Sequence, residues 1–212
     1  MAIAIASASL VFTLYSFYWI HALKGKLRGY APSTFASTTS SQRMLLRLPV
    51  SIYNTGARSR VICELRLVIP HDEFDMVLRW NDFRKTLTPS DKDKDPDFLD
   101  HASIYAIPGR TAVEKFVTFR GVARDSHWPL EPKDHKVLVQ ARIDGSLKWE
   151  TISQFTLHLW HVADNLGSYI TCRNTSETCD EREQSRAREA FLAAAERWGI
   201  SCPAWASKPN TK

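Results

Sequence analysis

Val61-Ile62-Cys63-Glu64-Leu65-Arg66-Leu67-Val68-Ile69 decides the reading of this chain. Val61, Cys63, Leu65, Leu67 and Ile69 alternate with Ile62, Glu64, Arg66 and Val68 over nine residues. Successive side chains of an extended chain point to opposite faces, so a period of two marks a strand with one face buried. Pro70 closes it, since proline has no N–H to give a ladder. Upstream, Asn54-Thr55-Gly56 is a turn, because Asn and Gly tolerate positive φ. Before that, Met44 to Tyr53 is an apolar run containing Pro49, which suits an edge strand or a strand switching between sheets.

The same pattern recurs downstream. Phe74, Met76, Leu78 and Trp80 alternate with Asp75, Val77 and Arg79. Ile107-Pro108-Gly109-Arg110 has the composition of a turn, and Val113 to Arg120 follows as a strand. Val137, Val139, Ala141 and Ile143 alternate with Lys136, Gln140 and Arg142, and Asp144-Gly145 is a hairpin-turn signal. Trp149 to Leu159 is the next strand, with Phe155, Leu157 and Leu159 on one face; Ser168 to Arg173 is the last and shortest. Seven or eight short strands with turn residues between them predict a mainly β domain. The expected form is an antiparallel sandwich of immunoglobulin-like type, with a barrel as the alternative. Lys85 to Asp100 interrupts the series. Its Ser90-Asp91-Lys92-Asp93-Lys94-Asp95-Pro96-Asp97 is a solvated charged loop; the interleaved lysines and the missing distal Glu argue against calcium.

The two ends differ from this middle. Ala2 to Ala22 contains no Asp, Glu, Lys or Arg. At ~1.5 Å per residue such a helix matches the ~30 Å hydrocarbon core of a bilayer. Tyr15, Tyr18 and Trp19 fall where an interfacial aromatic belt sits, and Lys24, Lys26 and Arg28 follow as headgroup anchors. A cleaved signal peptide is the main rival, but the segment lacks a basic start and exceeds the usual apolar core; a buried core helix is the other. The expectation is one membrane-spanning anchor. The positive-inside rule then places the globular domain on the cytoplasmic side. Gly29 to Gln42, small and polar, reads as a linker. At the other end, Glu181 to Trp198 carries Ala187, Ala190, Phe191, Ala194 and Trp198 at helical spacing. Ser176 or Asp180 would cap this helix and Gly199 would end it. It packs on its own domain or, alternatively, binds a partner. The expected organisation is therefore an anchor over 1–23, a linker over 24–42, a β domain over 43–174 and a C-terminal helix and tail over 175–212.

Composition narrows the function. The chain is 44% apolar with seven tryptophans and ten phenylalanines, enough for a substantial core. Net charge is +5, and Lys and Arg are interspersed with Asp and Glu, so no nucleic-acid partner is expected. Four cysteines, Cys63, Cys172, Cys179 and Cys202, do not form a metal or disulfide framework; they read as packing residues, although Cys172, Cys179 and Cys202 could pair if oxidised. Asn174-Thr175-Ser176 is a sequon that matters only in an exported chain.

No catalytic, cofactor or metal site is expected. His158 and His161 fall on opposite faces of a strand unless it ends between them, and His127 or His135 would join them only through the fold. His71-Asp72-Glu73 reads as turn solvation. Trp128, Trp149 and Trp160 would serve a glycan or small-molecule site if they shared a concave surface; packing is the simpler role. A hydrolase would need His158, His161 and a carboxylate in one pocket. The favoured function is a protein-interaction or structural module whose partners are the membrane and another protein.

Leu46 to Ile62, with its strand, Asn54-Thr55-Gly56 turn and following strand carrying Glu64-Leu65-Arg66-Leu67, resembles the opening of a group of bacterial single-pass membrane proteins. The Ile107–Arg110 turn and the Trp149 to Leu159 strand are also similar, so the likeness covers Met44 to Arg173. It implies an N-terminal helix followed by an immunoglobulin-like sandwich. It implies no activity and no catalytic residue.

Overall fold

A computed structural model describes residues 1–71, 75–88, 98–122, 130–175 and 180–200. The fold is mostly β and antiparallel, with a helix at each end of the described chain. Helix α1, Ala2–Phe17, runs into a π-helical turn, Tyr18–Ala22. The strands are β1 (Leu27–Gly29), β2 (Thr34–Thr39), β3 (Arg43–Asn54), β4 (Arg60–Ile69), β5 (Met76–Arg84) and β6 (Phe98–His101). After these come β7 (Tyr105–Ile107), β8 (Ala112–Val122), β9 (Asp134–Ile143), β10 (Glu150–His158) and β11 (Ile170–Arg173). A 3-10 turn, Trp160–Asn165, precedes β11, and α2 spans Glu181–Arg197.

The spatial order is β10-β9-β4-β5-β8-β3-β2-β11, with β1 beside β3, β6 beside β5 and β7 beside β4. Ladder bonding is continuous through all of them, and the sheet curls so that its own two halves face each other. Leu48 and Val50 of β3 meet Val139 of β9 and Ile152 and Phe155 of β10 around one cleft. Leu46, Ile52, Leu65, Leu67, Leu78, Val117, Phe119 and Leu157 are wholly or almost wholly buried between the halves. Each such side chain contributes about 1.5–3 kcal/mol on leaving water. Leu65, Leu67 and Ile69 face inward, as the alternation predicts, but a register shift between Ile62 and Glu64 buries Ile62 in place of the expected Val61 and Cys63.

Pro49 occupies a break in the pairing. Along one edge of β3, residues 44–47 pair with β2 and residues 52–54 pair with β1. Asn54 N–H points to β8, so by alternation the nitrogen of Pro49 points the other way, into the gap between β2 and β1. The strand changes partner there, and the missing N–H removes no ladder bond. Asp144 (φ 53°) and Gly145 (φ 76°) form the expected turn after β9.

Three expectations need correction. Residues 24–42 are not a free linker: β1 and β2 lie within them, and Phe35, Ala36, Ser37 and Thr39 are buried. β2 is laddered on both sides, by β3 and β11, so its small polar residues owe their order to partners distant in sequence. The interruption at 85–100 ends earlier than expected, because Phe98–His101 pairs with β5; the charged loop at 90–97 lies outside the described residues. Tyr105–Ile107, too short to show a period, adds a strand beside β4.

The C-terminal helix begins at Asp180, in a capping box with Glu183. Gly199 follows its end at φ 68°. Ala187, Phe191, Ala194 and Ala195 are buried, and Arg188 pairs with Glu131 at 2.7 Å, so the apolar stripe meets its own domain.

Candidate functional site

The first feature is the junction between helix and domain. Residues 2–22 form one apolar helical segment of 21 residues, none of it buried in the domain. Tyr15 and Trp19 stack with centroids 6.3 Å apart, and Tyr18 is exposed beside them. Lys24, Lys26 and Arg28 are all exposed, while Leu27 between the last two is buried. The segment after the helix is strapped down. Leu23 C=O accepts from Ala57 N–H at 2.9 Å and Arg58 N–H at 3.3 Å, and Lys26 exchanges backbone and hydroxyl bonds with Thr55. Arg60 donates to Gly25 C=O at 2.6 Å and to Asp144 at 2.6 Å. Arg110 donates to Trp19 C=O at 2.5 Å. Gly25 and Gly56 are backbone to backbone; a methyl group on either would enter the other's main chain. The junction thus adds exposed Arg58 and Arg110 to the three cations read from the sequence. Their positions, thirty and more residues downstream, gave no local signal.

The second feature lies on the outer face of the sheet. Arg66 of β4 is directly opposite Arg79 of β5, which is directly opposite Arg120 of β8. Gln140 of β9 continues the row and accepts from Arg66 Nε at 2.9 Å. Arg142, two residues along β9, pairs with Glu64 at 2.8 Å. The Arg66 and Arg142 guanidinium carbons sit 4.0 and 4.6 Å from the centre of the Trp149 ring. Burial, and then the neighbouring Arg142, hold the Arg66 pKa below its ordinary value. The row was invisible as a motif because its members are 13 and 41 residues apart.

The third feature is the far end of β10. His158 Nδ1 and Trp160 Nε1 both meet Asp134 Oδ1, at 2.8 and 3.0 Å. The Asn174 side chain bonds Thr156 C=O, Pro32 C=O and the His158 N–H. The sequon asparagine is therefore engaged as a clasp between strands. The strand does end between His158 and His161, but His161 is exposed on the 3-10 turn and takes no part in the His158–Asp134 pair. His135 is buried with Nε2 on Glu131 C=O at 2.7 Å, and burial depresses its pKa. His127, Trp128, Asp72, Glu73, Cys179 and Cys202 lie outside the described residues. Among the described residues no three His, Cys, Asp or Glu side chains gather as a metal site.

Trp149 and Trp160 flank opposite ends of β10, roughly 30 Å apart at ~3.3 Å per residue, so they do not share a concave surface. The cleft between Tyr30, Leu48, Pro49, Ile152 and Phe155 leaves about 10 Å³, around the least that holds one water.

No protein-family model matches the chain, and no curated protein matches it. Among solved structures it is similar to a protein from Archaeoglobus fulgidus at 8% identity and a TM-score of 0.35, covering 69% of this chain and 98% of that one. It is also similar to beta-glucosidase 3B from Thermotoga neapolitana in complex with glucose, at 12% identity and a TM-score of 0.25, covering 75% of this chain and spanning 20% of the glucosidase.

Proposed function

We propose that the chain is a membrane-tethered protein-interaction module, non-enzymatic, whose β domain is held close to the bilayer by residues 1–28. The observation that carries this reading is the apolar segment Ala2–Ala22, none of it buried, joined to the sheet without slack. Twenty-one residues without a formal charge find no apolar partner in the described domain, and a bilayer supplies one. Tyr15, Tyr18 and Trp19 then lie at the interface, with Lys24, Lys26, Arg28, Arg58 and Arg110 at headgroup level. Lys24, Lys26 and Arg28 flank the helix on the domain side, and the positive-inside rule pairs that flank with the cytoplasm. Kinship with the bacterial single-pass proteins that the sequence resembles accords with this arrangement. The glycan-binding alternative is weaker, since Trp149 carries two guanidinium groups and Trp160 is bonded to Asp134.

Carbonate extraction tests the tether: the chain should remain in the membrane pellet, and its intact mass should include residues 1–22. A product cleaved near residue 22 and released into solution would end this reading. A pull-down from detergent-solubilised membranes, followed by binding of the purified partner to the purified chain, tests the interaction role.

A further inference from the structure

The outer face of the sheet carries a row of like charges that the described residues do not neutralise. Arg66, Arg79 and Arg120 stand in one cross-strand row on three neighbouring strands. With strands ~4.8 Å apart, the three stems span only about 10 Å. Like charges directly opposite in a sheet are destabilising. Arg79 and Arg120 are exposed, and neither makes a hydrogen bond or ion pair among the described residues. Glu64 is engaged by Arg142. Two residues along the strands on the same face are Val77, 38% exposed, half-buried Leu138 and, between them, buried Val68.

Building on the interaction-module reading, we propose that this row is the docking surface, and that its occupant is a partner protein's α-helix with an acidic stripe. Carboxylates at i, i+4 and i+7 of a helix are spaced by ~5–6 Å, close to the step of the arginine row. An apolar stripe beside the acidic one covers Val77 and Leu138. Guanidinium groups present paired N–H donors that match a carboxylate, and Arg66 at one end of the row is steadied on Trp149. A single-stranded nucleic acid fits less well, because the row Thr151-Gln140-Arg66-Arg79-Arg120-Leu45-Thr38 carries no aromatic ring of its own and the neighbouring Trp149 is already stacked with Arg66 and Arg142. The chain's own membrane fits less well. Arg66 is six residues along β4 from Arg60, which bonds the junction at Gly25, hence ~20 Å of strand from the junction. That exceeds the ~8 Å Debye length at physiological salt.

The test uses the full chain in nanodiscs of neutral phosphatidylcholine. Fluorescence anisotropy measures binding of three probes: a labelled helical peptide with glutamates at i, i+4 and i+7, the same residues in scrambled order, and a labelled oligothymidylate. The ordered peptide should bind tightest, with affinity falling as salt rises. The double variant R79E/R120E should weaken it by about tenfold or more, and R182E on α2 by less than about twofold. The single variant R79E should raise the melting temperature, because it turns two repulsive cross-strand contacts into attractive ones, while lowering affinity. A merely structural role would move stability and binding together. Equal binding of ordered and scrambled peptides, indifference to R79E/R120E, or tighter binding of the oligothymidylate would each overturn the proposal. In those cases a partner recovered from membranes and still bound by R79E/R120E would leave the interaction-module reading standing, and carbonate release would remove the tether separately.

Discussion

Single side chains hold this fold at points where strands must stop or turn. Asn54 is fully buried and closes three bonds at once: its amide donates to Arg58 C=O at 2.8 Å and Ile107 C=O at 3.2 Å, and its oxygen accepts from Gly56 N–H at 3.0 Å. Asn54→Ala leaves the buried Gly56 N–H without its partner and removes the link from this turn to the end of β7, and should lower unfolding stability by about 2 kcal/mol in a denaturant titration. His135 gives a pH signature. Its folded pKa lies below the ordinary histidine value because burial disfavours the charged ring. The unfolded chain therefore takes up this proton first as pH falls, and stability is lost on acidification below about 6.5, down to the depressed folded value. Thermal unfolding between pH 7.5 and 5 should show this loss, and His135→Gln should reduce it. Asp82 behaves differently. Burial raises its pKa, but bonds from Arg84 and Asn81 outweigh that and hold the carboxyl below its ordinary range.

Among the elements, the strap from Leu23 to Gly29 is the one most easily broken. The backbones of Gly25 and Gly56 touch, and larger side chains have no room. Gly56→Val should detach the strap while leaving β3 and β4 paired, costing about 2 kcal/mol or more through overpacking. Hydrogen exchange should read this as faster exchange at Ala57 and Arg58, whose N–H groups bond Leu23 C=O, with the β4 core still protected. β2 teaches a related lesson. Ser37, Thr38 and Thr39 look like linker, yet β3 holds all three and β11 holds Ser37 from the other side.

For the whole molecule, the consequence is a domain strapped directly to the end of the apolar helix rather than hung from it by a loose linker. A flexible tether of about fourteen residues between 29 and 42 would be open to protease. The observed chain there is β2 and its flanks, laddered and partly buried. Limited proteolysis of the reconstituted protein should therefore spare residues 23–43. A dominant early cut between 29 and 42 would contradict the strapped junction. β4 runs from the junction at Arg60 to Arg66, so the arginine row lies ~20 Å along the strand from the strap.

The sequence by itself determined the exposed apolar helix, the main alternating strands, the Asp144-Gly145 turn and the amphipathic C-terminal helix. These follow from local physics: a run of uncharged residues, a period of two, two residues tolerant of positive φ, and a stripe at helical spacing. Tertiary structure alone decided that residues 34–39 are a strand, that Arg58 and Arg110 join the basic junction, and that Arg66, Arg79 and Arg120 stand side by side. Each of these depends on which strand lies beside which. Cross-strand register joins residues tens of positions apart, and no period along the chain records it.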